Sequence, residues 1–413
     1  MFVGRFDEMK LIDQYFFQTK NENPQHFLLE GERGIGKSSL LFVSENLANG
    51  KIGTMEANSQ KFNFITISVD LAGVTCQLDI VRAIGRELKA QVSKSAPLKE
   101  KGKAAWDFLS KWEVLGVRYH KDVQTDPDDA RDELVDAFAN LLASGAEIDG
   151  AAILIDEADA PPVEARFGEF LKAFTERLAR RGCNRVIVCL AGLQNTIPKL
   201  RASHESSPRL LSILNLKPLA VEERKDAIRK GLDDATARNG YEVTIADDAI
   251  NFLAEMSEGY PHFVQQFSYC AFSADTDNNI TLEDVLKGAY SENGAIDQLG
   301  SKYFNEVYYS KINSDDYRRV LNAMAKHSDG WVTRKTLIAE SGVKESIINN
   351  ALSVLKTRNI IHVDEARQGY YKLPTKSFAA WINAVISVEE RRGLGPVSLT
   401  EYGDAEPVDD TNH

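Results

Sequence analysis

The sequence predicts an α/β fold: a five-stranded parallel sheet in the first half, then a helical segment, then a small module of helices and a hairpin. Three observations predict it. Short apolar runs alternate with amphipathic stretches of helical period through residues 1–219. The pattern turns wholly helical over 220–289, and between 310 and 388 three helical stretches precede two β-rich ones. Strands separated by helices imply parallel pairing with both faces covered.

The elements follow in order. Residues 26–30 (HFLLE) form a short buried strand, a glycine-rich turn follows, and a helix runs over 37–48. Residues 62–70 (FNFITISVD) make the second strand and 78–92 an amphipathic helix. The stretch 93–129, with Trp106, Trp112 and an Asp126-Pro127 end, has no clear period and is expected as an insertion over the sheet. Helix 131–142, strand 151–155, helix 167–180 and strands 185–190 and 211–216 complete the first half.

Composition excludes several classes. A chain of 413 residues is too long for one ordinary domain, and 43% hydrophobic with 27% charged residues is a soluble, globular balance. Cys76, Cys183, Cys189 and Cys270 form no CxxC pair, which predicts buried thiols in a reducing compartment and no cysteine metal site. With no basic-then-apolar leader and no apolar run near 18 residues, the expectation is a cytoplasmic protein without a membrane. A net charge of −12 disfavours nucleic-acid binding by the whole surface, so such a role needs a locally basic module.

Gly31-Glu32-Arg33-Gly34-Ile35-Gly36-Lys37-Ser38, followed by Ser39, fits GxxxxGK[ST] and lies between a strand and a helix start. That pattern predicts a P-loop NTPase. The glycines let successive N–H groups turn toward one anion, and the helix N-terminus adds positive potential. Lys37 is placed to reach the β- and γ-phosphates of ATP, and the Ser38 hydroxyl to ligate Mg2+. Ile153-Leu154-Ile155-Asp156-Glu157 then ends an apolar strand in two carboxylates at the sheet's C-terminal edge. Asp156 is expected to hold the magnesium shell and Glu157 to polarise the attacking water, which favours hydrolysis over binding alone.

The surrounding residues choose among P-loop machines. Phe2-Val3-Gly4-Arg5-Phe6-Asp7-Glu8 resembles the hhGRxxE box of AAA+ and STAND ATPases, Cys189-Leu190-Ala191-Gly192-Leu193-Gln194 the sensor-1 strand end, and Ser207-Pro208-Arg209 the segment before the last strand. Leu216-Lys217-Pro218-Leu219 with Glu223, and Gly259-Tyr260-Pro261-His262, resemble the opening and interior of a helical AAA+ lid. Together they resemble the AAA+ branch of origin-recognition, transposition-regulator and STAND ATPases. The resemblance implies an ATPase core at 1–219 and a lid at 220–300. It places Val3 near the adenine and Gln194 or Asn195 as polar sensor, and puts Pro261 against the nucleotide. Arg209 is implied as an arginine finger acting across the boundary of a homo-oligomer in the ATP state, or else is a surface arginine. His262 departs from the arginine that relatives often carry there.

At 310–388 the order of helices (317–326, 333–341, 344–358) and β-rich pieces (359–363, 370–373) predicts a winged helix-turn-helix. Residues 311–376 hold twelve Lys/Arg against seven Asp/Glu, an excess of positive charge in an acidic chain. Ser346, Asn349, Asn350 and Ser353 are placed to read base edges of double-stranded DNA, with Arg367 at the hairpin tip. The alternative is a STAND-like signalling or defence NTPase whose winged helix takes a protein partner. The tail at 393–413 is acidic and expected to be disordered.

Overall fold

The computed structural model describes residues 3–54, 61–94, 126–144, 147–312, 314–327, 330–364 and 367–392. Most of the insertion expected at 93–129 and all of the acidic tail lie outside them. The chain divides into two compact units, Phe2–Pro218 and Leu219–His413.

In the first unit, α1 (Phe6–Lys20) precedes β1 (Phe27–Glu30) and α2 (Lys37–Ala48). Then come β2 (Phe64–Asp70), α3 (Gln77–Lys94), α4 (Pro127–Ala143), β3 (Gly150–Asp156), α5 (Phe167–Arg180), β4 (Val186–Gly192), α6 (Thr196–Ser203) and β5 (Ser212–Asn215). The five strands pair in parallel in the order β2-β3-β4-β1-β5, as the alternation of elements requires. Alternate strand residues (Leu28, Ile65, Ile67, Ile153, Ile155, Val188, Leu190) enter one core with Ile84 and Leu88 of α3, Phe138 of α4 and Phe174 of α5. Phe138 and Phe174 meet edge-on at 5.8 Å, and Phe170 stacks on Phe174 at 5.4 Å. Elsewhere in this unit Phe16 of α1 lies 5.4 Å from Phe64 of β2 and 5.9 Å from Phe62. Strand directions are pinned at the entry edge by His26. Its Nδ1 accepts the Val188 N–H at 3.1 Å, and burial pushes its pKa down to about 4, which keeps the ring neutral and able to accept.

Three of the four thiols are buried as expected, whereas Cys76 is exposed. It sits just before α3, where Asp79 accepts from the N–H groups of Thr75 and Cys76, so the turn is polar and faces solvent. Among the described residues no helix is long and apolar enough to cross a membrane.

The second unit begins with α7 (Val221–Asn239), α8 (Asp247–Met256), α9 (Pro261–Ala274), α10 (Leu282–Tyr290) and α11 (Ala295–Leu299). The expectation that this region is wholly helical is corrected by a parallel pair of two-residue strands, β6 (Thr244–Ile245) and β7 (Asn279–Ile280), which tie the approaches to α8 and α10. Two residues are too few to show a period in sequence. A π-helical stretch (Gly300–Phe304 and Glu306–Ser310) leads to α12 (Asp315–Ala325), β8 (Val332–Thr333), α13 (Arg334–Ser341), α14 (Glu345–Thr357), β9 (His362–Val363), β10 (Tyr370–Lys372) and α15 (Lys376–Arg392). The three strands form an antiparallel sheet, β8-β10-β9, so the expected two-stranded hairpin gains a third strand. Phe304 joins Phe378 and Trp381 of α15 at 5.0 and 5.9 Å, and Tyr308 packs edge-on to Trp381.

Glu258, between α8 and α9, reaches this helix. Its carboxylate accepts the backbone N–H groups of Lys376 and Ser377, closing the first turn of α15. Burial pushes its pKa up to about 7, against the pull of those N–H groups and of Lys376 and Lys372; Arg224 also feels its charge. A folded pKa above the unfolded value means that the folded protein binds the extra proton between about pH 4.5 and 7. The group therefore favours folding most below that window, and up to about 3 kcal/mol is lost as pH rises through it. Glu258→Gln keeps an acceptor but cannot ionise. The expected result is that hydrogen exchange in α15 loosens between pH 6 and pH 8 in the wild type, after correction for intrinsic rates, and does so much less in the variant. Equal pH dependence in both proteins would remove the assignment.

Candidate nucleotide site

The site is assembled at the C-terminal edge of the sheet. In register, Leu29 of β1 lies level with Ala191 of β4, and Leu190 with Ile155 of β3, so Asp156 is one step short of the level of Glu30. One strand separates β1 from β3, which places the acidic strand end roughly 10 Å across the edge from the loop that follows β1. Ligands of open parallel sheets bind at this edge.

The loop itself is shaped for an anion. Gly34 and Gly36 have φ of 81° and 100°, the left-handed region that favours glycine, and Gly36 directly precedes α2. No side chain caps that helix start, which leaves its N–H groups for another acceptor, and Ser38 and Ser39 stand exposed in its first turn. Ile35 is buried, and Glu32 and Arg33 are exposed. A Cβ on Gly31 would stand 3.0 Å from Ile35 Cγ2 and 3.2 Å from the Leu216 carbonyl. Lys37 Nζ donates to the carbonyls of Gly31 (3.0 Å) and Glu32 (2.8 Å), folding back across the loop. Burial lowers its pKa, while the charges of Asp159 and Asp156 hold the proton on.

Asp156 is half-buried, and its Oδ1 accepts the Glu157 N–H at 2.9 Å. Glu157 is exposed at φ 49°, an uncommon conformation for a residue with a side chain. It is held there because Ala158 N–H donates to the Ala191 carbonyl and Ala160 N–H to the Glu157 carbonyl. Gln194 and Asn195 are exposed at the turn between β4 and α6. Arg209 is exposed in a short 3-10 turn (Ser207–Leu210), and its side chain has no ion pair among the described residues. Val3 is half-buried two residues before Arg5; Pro261 opens α9 in the second unit.

Two residues were given no role by sequence reasoning. Arg5, quoted there only as part of the N-terminal box, is buried, and its Nη2 donates to the Ile35 carbonyl at 3.1 Å while Nη1 meets Glu8 at 3.3 Å. The N-terminal segment thus holds the glycine loop from behind. The Arg5/Glu8 spacing of three was the available signal. Asp159, three residues after Asp156, is the other; it carried no motif of its own.

A strand, a glycine loop closing on a helix start, and an acidic strand end on the same edge of a five-stranded parallel sheet define the P-loop NTPase class. Residues 1–220 match the family model of the AAA ATPase domain; this is more than half the chain, and the chain belongs to that family. Comparison with curated proteins found no match. Among solved structures, the ORC2 protein of Aeropyrum pernix in its ADPNP–ADP complexes is similar with a TM-score of 0.57 at 12% identity, covering 94% of each chain. Cdc6p of Pyrobaculum aerophilum aligns at 0.46 and 12%, over 95% of this chain and 96% of that one. The ORC1 protein of A. pernix, solved in complex with DNA, aligns at 0.41 and 16% over 95% of each. At these identities the likeness is one of fold.

Proposed function

We propose that this AAA ATPase chain binds ATP with magnesium on the loop of residues 31–39, hydrolyses it, and uses the cycle to switch its association with DNA. The observation that carries the reading is the shared sheet edge, where an anion-shaped loop and two strand-end carboxylates follow strands separated by one other. The residues fit the group: a left-handed glycine before an uncapped helix, a lysine ammonium now spent on loop carbonyls, and a hydroxyl one residue on.

On this reading Lys37 exchanges the carbonyls of Gly31 and Glu32 for phosphate oxygens, while the backbone N–H groups of 34–39 enclose the phosphates. Ser38 and Asp156 would hold magnesium, a hard cation that takes oxygen ligands and needs few of them from the protein. Bound there, it would offset charge on the phosphates. Glu157 takes the proton from the attacking water. Gln194 orients the γ-phosphate, Val3 borders the nucleotide, and Arg209 of one subunit completes the site of the next in an ATP-dependent homo-oligomer.

The C-terminal module, which we read as a winged helix-turn-helix, is the DNA contact. Ser346, Asn349, Asn350 and Ser353 all lie on the exposed side of α14, with Ile348, Leu352 and Leu355 buried behind them. Lys335 of α13, Lys344 just before α14 and Lys356 on α14 are exposed with no carboxylate ion pair among the described residues. Asn349 Oδ1 accepts from Arg334, which also pairs with Glu345, so both must rearrange to read a base. Arg367 is bound to Asp364 and lies over the Tyr370 ring at 4.6 Å. Replacing Lys335, Lys344 and Lys356 together by glutamate is expected to weaken duplex binding more than tenfold at moderate salt. It should also reduce the slope of log K against log[salt] by about 2 to 3, since each lost phosphate contact removes nearly one unit. Anisotropy titrations of a labelled duplex with ATP present measure both quantities, and an unchanged slope would remove this face from the contact.

One observation favours the signalling alternative. His262, standing where an arginine is common, packs on Tyr303 at 5.4 Å with Nε2 buried and unbonded among the described residues, and burial beside Lys302 lowers its pKa. A neutral imidazole held this way is a weak phosphate sensor. ATP-dependent assembly that ignores DNA at every salt concentration supports that reading instead.

A further inference from the structure

Asp159 lies outside the residues assigned to nucleotide, metal or water, yet three separate parts of the site meet at it. Its Oδ1 accepts the Leu193 N–H at 2.9 Å, across from β3 to the turn that carries Gln194. The two backbones approach closely there, since a Cβ on Gly192 would fall 3.3 Å from both the N and Oδ1 of Asp159 and 2.2 Å from Thr196 Oγ1. The Asp159 carbonyl accepts from Lys199 Nζ of α6, which also reaches the Pro161 carbonyl at 3.3 Å. Two residues earlier is Glu157 in its left-handed conformation, closed by the Ala160 N–H to the Glu157 carbonyl at 2.8 Å.

We propose that Asp159 is a positioning residue that locks the Glu157 turn and the Gln194 turn to each other. The proposal rests on the reading of this edge as an ATP site and adds a residue to it. The hydrogen bond to Leu193 fixes where Gln194 stands relative to Glu157, so its loss disorders the geometry in which water is activated.

Two variants separate the hydrogen bond from the charge. Asp159→Ala removes the acceptor, and kcat for ATP is expected to fall at least tenfold while KM changes less than threefold. Asp159→Asn keeps an acceptor for the Leu193 N–H without the charge, and should recover most of that loss in kcat. Steady-state ATPase assays on the full chain read both quantities. If the alanine variant does not fold, Asp159→Ser, whose hydroxyl is too short to reach the Leu193 N–H, takes its place with the same expected fall. A wild type that binds no ATP overturns the site reading itself. A wild type that binds and hydrolyses ATP, with the acceptor-free variant matching it in kcat, overturns only the role of Asp159.

Discussion

Lys37→Ala is expected to weaken ATP binding at least 100-fold, about 3 kcal/mol. The lysine makes two hydrogen bonds to carbonyls of its own loop, at 3.0 and 2.8 Å, in a setting that already disfavours its charge. An ammonium held against partial desolvation gains more from a multiply charged phosphate than from two neutral carbonyls, and charge-assisted hydrogen bonds are worth about 1.5–3 kcal/mol each. The substitution also frees the carbonyls of Gly31 and Glu32, both beside a surface loop where water can replace the amine, so the fold should be little affected. Isothermal titration with ATP and magnesium measures the loss, with the thermal unfolding of both proteins as control. Affinity within a few-fold of wild type, in a folded variant, would place the phosphates elsewhere.

The parts of this molecule that were legible in the sequence share one property: their signal is local. The parallel sheet follows from apolar runs spaced by helices, and α2 and α5 begin and end where their periods and punctuation place them. The loop of residues 31–38 and the Asp156-Glu157 strand end are contiguous strings whose chemistry depends on spacing alone. What was not legible depends on contacts between distant residues. Arg5 meets Ile35 thirty residues away, Asp159 meets Leu193 across two strand ends, and Glu258 meets α15 more than a hundred residues on. The paired strands β6 and β7 were invisible for the same reason, since each is only two residues long and exists because the other is there. On α14 the buried positions were readable from the helical period, but the bond between Asn349 and Arg334 was not.

Glu157→Gln separates binding from chemistry and is expected to lower kcat at least 100-fold while ATP affinity stays within about threefold. A positioned general base contributes roughly 10²–10⁴-fold, and a carboxamide cannot accept the water's proton at all. The variant is close to isosteric, so the turn at φ 49° keeps its backbone hydrogen bonds through Ala158 and Ala160, and Asp156 keeps its bond to the residue 157 N–H. Glu157 is exposed and makes no side-chain ion pair among the described residues, so its charge is free for water and its removal should cost little stability. Single-turnover hydrolysis and ATP titration on the same preparation measure the split. If ATP drives self-association, the variant should also remain in the associated state after the wild type has turned over and dispersed, which sedimentation velocity resolves. Unchanged turnover would move the base to another residue; lost binding together with lost turnover would mean that Glu157 helps hold the nucleotide rather than the water.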